Sequence, residues 1–290
     1  MSTAKVELGR RLFYDADLSA NGTLACAGCH EQRRGFADGN ATRPGVHGDP
    51  GLRNVPGLVN VAWLPRLTYG DPSITTLEMQ ALIPLLGEKP VEMGMKGLDA
   101  ELSRRLGADA CYRRMFRQAF PDRSGRIDVA SVTAALATFQ RTMTGFDSPN
   151  DRFSQGDQTA LSPESQRGRT VFQIAGCAAC HGGRDFTDAA YHRLVAVDAH
   201  DIGLSERTGN PADAGRFRTP SLRNVAVTGP WWHDGKATAL DQAVRRHSDA
   251  GHMSGKDMAA LLVFLGDLTD PTFLTDPRFS RPVQACGKPL

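Results

Sequence analysis

Two pentads of one pattern, Cys26-Ala-Gly-Cys29-His30 and Cys177-Ala-Ala-Cys180-His181, decide how this sequence is interpreted. In Cys-x-x-Cys-His, two thiols form thioether bonds to a porphyrin and the adjacent imidazole binds its iron. With 6 Cys and 8 His in 290 residues, random placement gives roughly 0.003 such pentads in a chain of this composition. A redox dithiol or half of a zinc site would leave the fixed histidine unexplained. The sequence therefore predicts two covalent c-type haems, with His30 and His181 as iron ligands.

Length and charge limit the remaining possibilities. A chain of 290 residues can form two domains, each with its own core. The net charge of +2 gives no indication of a nucleic acid or an anionic membrane as the main partner. No apolar run approaches the length that is needed to span a bilayer.

The compartment follows from the haem and from the cysteines that haem does not use. The first ten residues lack the basic end, apolar stretch and cleavage site of a secretory signal. Covalent haem is attached outside the cytoplasm, so we expect a signal peptide that is absent from this sequence and a periplasmic, oxidising location. Cys111 and Cys286 are left over as a pair. We hypothesise that they form a disulfide that holds the C-terminal tail against the first domain; the alternative is two free thiols.

Hydrophobic periodicity predicts a mainly α protein in which β-type alternation is weak. Helical spacing occurs at residues 6–13, 77–86, 98–120, 129–142 and 256–268. Residues 35–57 are rich in Gly, Pro, Asn and Asp, which predicts a long loop, and a loop of this length is usually functional. Residues 145–162 are polar and turn-rich, which is typical of a linker.

The second half of the chain repeats the first. Residues 162–172 begin with a cap-like Ser-Pro, end in an apolar pair and lead into the second pentad, as residues 8–13 lead into the first. We therefore predict two cytochrome c-like haem domains related by duplication, with long loops. The predicted boundaries are 1–150 for the N-terminal domain and 151–290 for the C-terminal domain.

Several further motifs resemble those of the bacterial dihaem cytochrome c peroxidase and MauG superfamily, over nearly the whole chain. They are Leu58-Val-Asn60-Val-Ala, Leu77-Glu-Met-Gln80-Ala-Leu-Ile-Pro84, Pro90-Val-Glu92-Met-Gly, Phe217-Arg-Thr-Pro-Ser-Leu-Arg-Asn-Val225 and Thr228-Gly-Pro230-Trp-Trp-His233-Asp-Gly. Within the superfamily, Leu67-Thr-Tyr-Gly-Asp-Pro72 and residues 268–279 are most similar to the methanobactin-associated MbnH branch.

The resemblance implies that the first haem is the peroxide site. Its distal Gln and Glu fall on Gln80 and Glu92, which otherwise would be ordinary polar surface residues. A carboxylate beside the iron can move the proton that O–O cleavage requires, and an amide can hold the peroxide. Apolar neighbours predict a raised pKa for Glu92. His47 corresponds to a loop histidine that blocks the first iron in resting peroxidases; it is either such a gate or a solvated loop residue.

For the second haem, the resemblance places the distal ligand at His247, where peroxidases have Met and MauG has Tyr. We expect ligation by two histidines, which lowers the reduction potential relative to His/Met. Met253 and Met258 are the competing ligands, and an ordinary helix-surface histidine is the other alternative. Trp231 and Trp232 either pack against the porphyrin or carry oxidising equivalents to the surface.

Two more roles come from the resemblance alone. Tyr69 aligns with an aromatic electron relay between the haems, which is Trp in most members, so we expect altered coupling here. A calcium ion between the modules would take the Asn60 side chain and the backbone carbonyls of Thr228 and Pro230, with water completing the oxygen shell.

Three functions follow from these expectations. The first is a peroxide-dependent oxidase that forms a high-valent diferryl state and oxidises, at long range, a Trp of a partner similar to MbnP to kynurenine. The second is a peroxidase that reduces hydrogen peroxide to water with electrons from a small redox protein. The third is a dihaem electron carrier without catalysis.

Overall fold

The computed structural model describes residues 1–193, 198–247 and 253–289, and most of its regular structure is helical. The α-helices in these ranges are α1 Thr3–Phe13, α2 Cys26–Cys29, α3 Leu77–Leu86, α4 Asp99–Ala108, α5 Ala110–Ala119, α6 Val129–Gln140, α7 Pro149–Ser154, α8 Pro163–Ile174, α9 Ser205–Thr208, α10 Leu240–Arg245, α11 Gly255–Gly266 and α12 Pro271–Thr275. Two short pairs of antiparallel strands are also present in these ranges: β1 Tyr191–Arg193 with β2 Arg216–Arg218, and β3 Gln284–Ala285 with β4 Lys288–Pro289. No helix in the described ranges is long and apolar enough to cross a membrane.

In the first half, α1 packs against α6 at very close range. A Cβ atom on Gly9 would lie 2.0 Å from the Ala135 carbonyl oxygen, so only glycine permits this approach. One turn further on, the rings of Phe13 and Phe139 meet edge to face with their centroids 5.5 Å apart.

The second half repeats this packing between α8 and α11. A Cβ atom on Gly168 would lie 1.9 Å from the Ala260 carbonyl oxygen. The rings of Phe172 and Phe264 lie 5.4 Å apart, in the positions of Phe13 and Phe139. The predicted fold class, mainly α with two cytochrome c-like halves related by duplication, is therefore confirmed, while the exact domain boundary near residue 150 stays a prediction.

Polar caps fix where the main helices begin. The hydroxyl of Thr76 accepts a hydrogen bond from the Met79 amide and starts α3, and the Ser162 hydroxyl does the same for α8 through the Ser165 amide. Residues 77–86 were predicted as a helix with the bounds that α3 has. The helical stretch predicted at 98–120 is instead divided at Asp109, which ends α4 and caps α5.

The C-terminal tail folds back onto the first half of the chain. Cys286 forms a disulfide with Cys111 of α5, with 5.8 Å between their Cα atoms, which confirms the hypothesis drawn from the spare cysteines. The hydroxyl of Tyr14 donates to the Phe279 carbonyl at 2.7 Å. Phe279 is buried within the apolar core of the first half, so residues of the tail complete that core.

The two halves are joined by polar contacts. Arg53 makes a bidentate ion pair with Asp201, with N–O distances of 2.9 and 2.7 Å. The backbone amide of Arg218 in β2 donates to the Tyr69 carbonyl at 2.9 Å. Loops of the first half thus lie against the second half and fix the position of Tyr69 at the junction.

Candidate active site

The first pentad lines a partly open cavity with a volume of about 60 Å³. Helix α2 consists of the residues Cys26–Cys29, and His30 ends it. The cavity wall contains the side chains predicted for both faces of the first haem, namely Cys26, Cys29, His30, Gln80 and Glu92. Apolar residues from several elements complete it, among them Phe13, Leu24, Leu58, Leu85 and Leu136.

His30 is prepared to bind a metal ion. Its Nδ1 atom lies 2.5 Å from the Phe36 carbonyl oxygen, so Nδ1 carries the proton and Nε2 keeps a free lone pair. Burial lowers the pKa of His30, because the charged imidazolium is poorly solvated there. A neutral imidazole of fixed orientation is the form that ligates iron.

The two thiols of the first pentad do not resemble a redox dithiol. Burial, followed by the neighbouring Cys29, raises the pKa of Cys26 to about 12, and burial raises that of Cys29 to about 11. Reactive dithiols have lowered thiol pKa values instead. In this structure the two sulfur atoms stand in for thioether sulfurs, and their place in the cavity wall beside His30 fits covalent attachment of a haem.

Gln80 and Glu92 reach the cavity from α3 and from the segment that follows it. The Met93 amide donates to the Pro84 carbonyl at 2.9 Å, and the Val46 amide donates to the Glu92 carbonyl at 2.7 Å. The first bond holds the segment against α3, and the second joins it to the loop that contains Val46. Burial raises the pKa of Glu92, as expected from its apolar neighbours. The carboxyl group is therefore suited to take up and release a proton.

His47 is exposed in a turn and is not among the residues that line the cavity. Its Nε2 nevertheless lies beside the segment that contains Glu92, since a Cβ atom on Gly94 would be 3.3 Å from it. Both roles left open by the sequence stay predictions.

The second pentad brings two imidazoles close together, with their ring planes inclined by 65°. The ring centroids of His181 and His247 are 6.3 Å apart. Since a metal–imidazole bond is about 2 Å long, this separation suits one metal ion between the two rings. Nδ1 of His181 lies 3.2 Å from the Phe186 carbonyl oxygen, and Nδ1 of His247 lies 3.1 Å from that of Ala243. Both Nε2 atoms are thereby left free for iron.

Burial and the neighbouring His247 ring both lower the pKa of His181. Burial lowers the pKa of His181 to about 4, and His247 contributes to the shift. Of the competing ligands, Met253 packs against the apolar core of the second half, which Cys177 also contacts, and Met258 is a buried residue of α11. The geometry therefore favours His247, although its role as ligand stays a prediction.

Trp231 and Trp232 lie beside the second site. The Trp231 indole donates to the Val225 carbonyl at 2.8 Å and packs against the core of the second half. The ring of Trp232 lies 5.3 Å from that of His247. Their positions agree with packing around a haem.

Tyr69 is partly buried where the two halves meet. Its ring lies 5.9 Å from the Arg218 guanidinium, and the pKa of its hydroxyl is raised by burial although that cation opposes the shift. Its position between the halves fits the relay that the resemblance implied, and this role stays a prediction.

The structure supports the predicted calcium ligands less clearly than it supports the predicted haem ligands. Asn60 is buried, its Oδ1 accepts from the Gly145 amide at 3.0 Å, and its Nδ2 donates to Asp185 at 2.7 Å. Its side chain therefore already joins the two halves. Thr228 and Pro230 are partly buried. The calcium site stays a prediction.

The carbonyl groups that orient the iron-binding histidines were not predicted. Phe36 and Phe186 provide them, six and five residues after His30 and His181. A phenylalanine at similar spacing after both pentads was the signal that could have indicated them. Trp63 was not predicted either, because its surroundings become apparent only from the fold.

Two different haem-binding sites in one chain define a class of proteins, the dihaem peroxidases. The family model for di-haem cytochrome c peroxidase matches residues 3–159, and the chain belongs to that family. It is 34% identical to the methylamine utilization protein MauG of Methylorubrum extorquens, over 96% of this chain and 82% of that protein. It is also 34% identical to the cytochrome c peroxidase of Escherichia coli, over 91% of this chain and 58% of that protein.

The fold has a similar counterpart among solved structures. A MauG-like protein associated with microbial copper homeostasis superposes with a TM-score of 0.91 and 37% identity, covering 98% of this chain and 94% of that one. The expectation of a dihaem enzyme of peroxidase type is confirmed by these relatives, and so is the resemblance to the MauG-like branch. The family implies two c-type haems, which the two pentads and their surroundings fit.

Proposed function

We propose that this protein uses hydrogen peroxide to oxidise a tryptophan of a partner protein without direct contact between that side chain and either haem. The observation that carries the proposal is that the two haem sites differ in the residues opposite the pentad histidine. The first has Gln80 and Glu92 on its open cavity wall, whereas the second has the imidazole of His247 facing His181. One site can accept peroxide, and the other is closed.

At the first site, Cys26 and Cys29 would hold the haem and His30 would ligate its iron. A c-type haem bound at each pentad supplies the electrons that reduce peroxide. The Glu92 carboxylate accepts the proton of the oxygen that approaches iron and returns it to the departing oxygen, since its raised pKa makes both directions accessible. The Gln80 amide orients the peroxide by hydrogen bonding.

At the second site, Cys177 and Cys180 would hold the haem between His181 and His247. Two nitrogen ligands favour the oxidised form of the iron more than a His/Met pair does. Tyr69 at the junction of the halves serves as the relay between the sites, since a phenol can pass on an electron when its proton can move. These assignments make the second site a store of oxidising capacity rather than a place where peroxide binds.

The partner is proposed from the similar structure that is associated with microbial copper homeostasis. Its tryptophan would gain two oxygen atoms from two molecules of hydrogen peroxide, which leave as two molecules of water. Hydrolysis of the resulting N-formylkynurenine then gives kynurenine and formate. A substrate resembling MbnP, the periplasmic location and the calcium ion at Asn60, Thr228 and Pro230 belong to the same proposal.

The experiment combines the holoprotein, hydrogen peroxide and the protein encoded by the neighbouring gene. We expect an oxygen mass gain on one tryptophan peptide of that partner. The Glu92→Gln variant serves as the control that binds both haems but yields little product. Unmodified partner, together with consumption of peroxide, would contradict the proposal.

The second candidate is peroxide reduction to water with electrons from a small redox protein. The identity to a cytochrome c peroxidase favours it. Fast turnover with reduced cytochrome c that requires prior half-reduction of the enzyme would support this candidate. Since the chain belongs to an enzyme family, the non-catalytic carrier is not retained.

A further inference from the structure

The chain has 3 Trp, and Trp63 differs from the other two. It ends the short 3-10 turn Val61–Trp63 and is 53% exposed. The indole N–H groups of Trp231 and Trp232 donate to peptide carbonyls at 2.8 and 3.3 Å. Within the described part of the chain, the Trp63 N–H has no such acceptor, and about half of the residue is exposed.

A short row of aromatic and guanidinium groups leads inward from Trp63. The ring of Phe146 lies 5.6 Å from that of Trp63. The Arg223 guanidinium lies 4.8 Å from the Phe146 ring and 5.7 Å from the Phe186 ring. Phe186 is the residue whose carbonyl orients His181. The exposed indole is thereby connected to the proximal ligand of the second haem.

We propose that Trp63 is the surface residue through which electrons enter the second haem site from a reductant bound outside. This inference rests on the proposed function, because peroxide must first oxidise the protein. It names the place at which a partner exchanges electrons, and it differs from the Trp231–Trp232 pair that the sequence suggested.

Positive charge around this row of side chains determines which oxidant can take an electron from Trp63. The Arg184 guanidinium lies 3.5 Å from the Phe146 ring and 5.7 Å from the Trp63 ring. Nearby cations destabilise a tryptophan radical cation, so its oxidation potential rises. Because these cations raise the potential, we expect the peroxide-oxidised protein, and not the resting protein, to take an electron from Trp63.

The electrons and protons balance over one cycle. Hydrogen peroxide takes up two electrons and two protons and leaves as two molecules of water. In each return step Trp63 gives one electron inward and its N–H proton to solvent. It then recovers one electron and one proton from the reductant. Two such steps restore the resting protein and leave the reductant short of two electrons and two protons.

Trp232 is the alternative residue for electron exchange with an external reductant, because its ring lies 5.3 Å from that of His247. Its N–H, however, donates to the Ala243 carbonyl, and a peptide carbonyl is too weak a base to accept the proton. Trp232 therefore has no route for proton loss comparable to that of Trp63.

The first test needs no partner. The holoprotein is treated with hydrogen peroxide in the absence of reductant and digested with trypsin, which places Trp63 in the peptide of residues 54–66 and the Trp231–Trp232 pair in the peptide of residues 224–236. We expect oxygen mass gains on the first peptide. Gains on the second peptide alone would overturn the proposal in favour of Trp232.

The second test compares Trp63→Phe with Trp63→Tyr. Both variants keep an aromatic ring at the surface, but only tyrosine is readily oxidised. We expect Trp63→Phe to slow the reduction of the peroxide-oxidised protein by an external donor by at least about tenfold, which corresponds to about 1.4 kcal/mol in the barrier. Trp63→Tyr should restore much of that rate. Equal rates in the two variants and the wild type would overturn the proposal.

The formation of the oxidised protein, followed by stopped-flow absorbance, separates this inference from the proposed function. Normal formation with a slow return identifies Trp63 as the point of electron entry. Failure of the wild type to form the oxidised protein would instead refute the proposed function, and this inference with it.

Discussion

The two pentad sites share one half of their architecture and differ in the other. On the pentad side, the iron-binding histidine of each site has its Nδ1 fixed by a phenylalanine carbonyl, Phe36 for His30 and Phe186 for His181. On the opposite side, the first site has a partly buried carboxyl group, that of Glu92, and the second has an imidazole, that of His247. Duplication thus preserved how each haem would be held, whereas the chemistry diverged on the facing side.

The largest effect is expected when the carboxyl group that distinguishes the first site is removed. Glu92→Gln should retain both haems and slow the reaction with peroxide by about 10²–10⁴-fold, the usual contribution of a positioned acid–base group. Stopped-flow absorbance after mixing with peroxide measures this rate. Glu88→Gln is a matched control, because Glu88 is exposed and pairs with Lys96. An unchanged rate in Glu92→Gln would refute the assigned role.

The same carboxyl group predicts a pH dependence. Burial raises the pKa of Glu92 above its usual value, and the group must be ionised to accept the first proton. The rate of the wild type should therefore rise with pH through this raised pKa, and the Glu92→Gln variant should lack that rise.

The disulfide tests whether the tail stabilises one half more than the other. Replacing Cys111 and Cys286 by Ser should lower the free energy of unfolding by about 2–4 kcal/mol, because the bond closes a loop across much of the chain. Denaturant titration measures the loss. Hydrogen exchange should accelerate in α5 and remain slow in α11, and equal acceleration in both helices would contradict the comparison.

The paired glycines test whether the duplicated helix contacts are equivalent. Gly9→Ala and Gly168→Ala each place a methyl group within 2.0 Å of a carbonyl oxygen, so each should cost about 1–3 kcal/mol through displaced backbone. Gly107→Ala is a suitable control, since a Cβ there would meet its nearest atom at 3.9 Å. A loss in only one of the two variants would show that the halves are packed differently.

The smallest effect on rate is expected at the second site. His247→Ala should convert the second haem from low spin to high spin and slow electron transfer to the oxidised protein about tenfold, or about 1.4 kcal/mol. Electron paramagnetic resonance of the ferric protein reports the spin state. Met253→Ala should leave the spectrum unchanged; the opposite result would move the distal ligand to Met253.

Much of the fold was predictable from local sequence signals. The repeated pentads, the bounds of α3 and the cap before α8 all depend on residues that are close in sequence. The division of residues 98–120 was not predicted, because it depends on tertiary contacts. Asp109 accepts from the Cys111 amide at 2.7 Å and also pairs with Arg11 of α1 at 2.6 Å, and periodicity alone contains no information about α1.

The candidate site was predicted to a similar extent. The resemblance gave Gln80 and Glu92, and the fold brings both to the cavity of the first pentad. The surroundings of Trp63 could not be predicted, because Phe146 and Arg184 lie far from it along the chain. The same holds for the distance between His181 and His247, which depends on how α10 ends beside the second pentad.

The returning tail has a consequence for the order in which this protein is made. Phe273 and Phe279 belong to the core of the N-terminal half, yet they follow helices α8 to α11 in the sequence. The N-terminal half therefore cannot reach its final packing until the chain has been synthesised as far as residue 279. Folding would thus be completed last in the half that is synthesised first. In a nascent chain stopped before residue 271, the space in the core that these two rings normally fill would stay open.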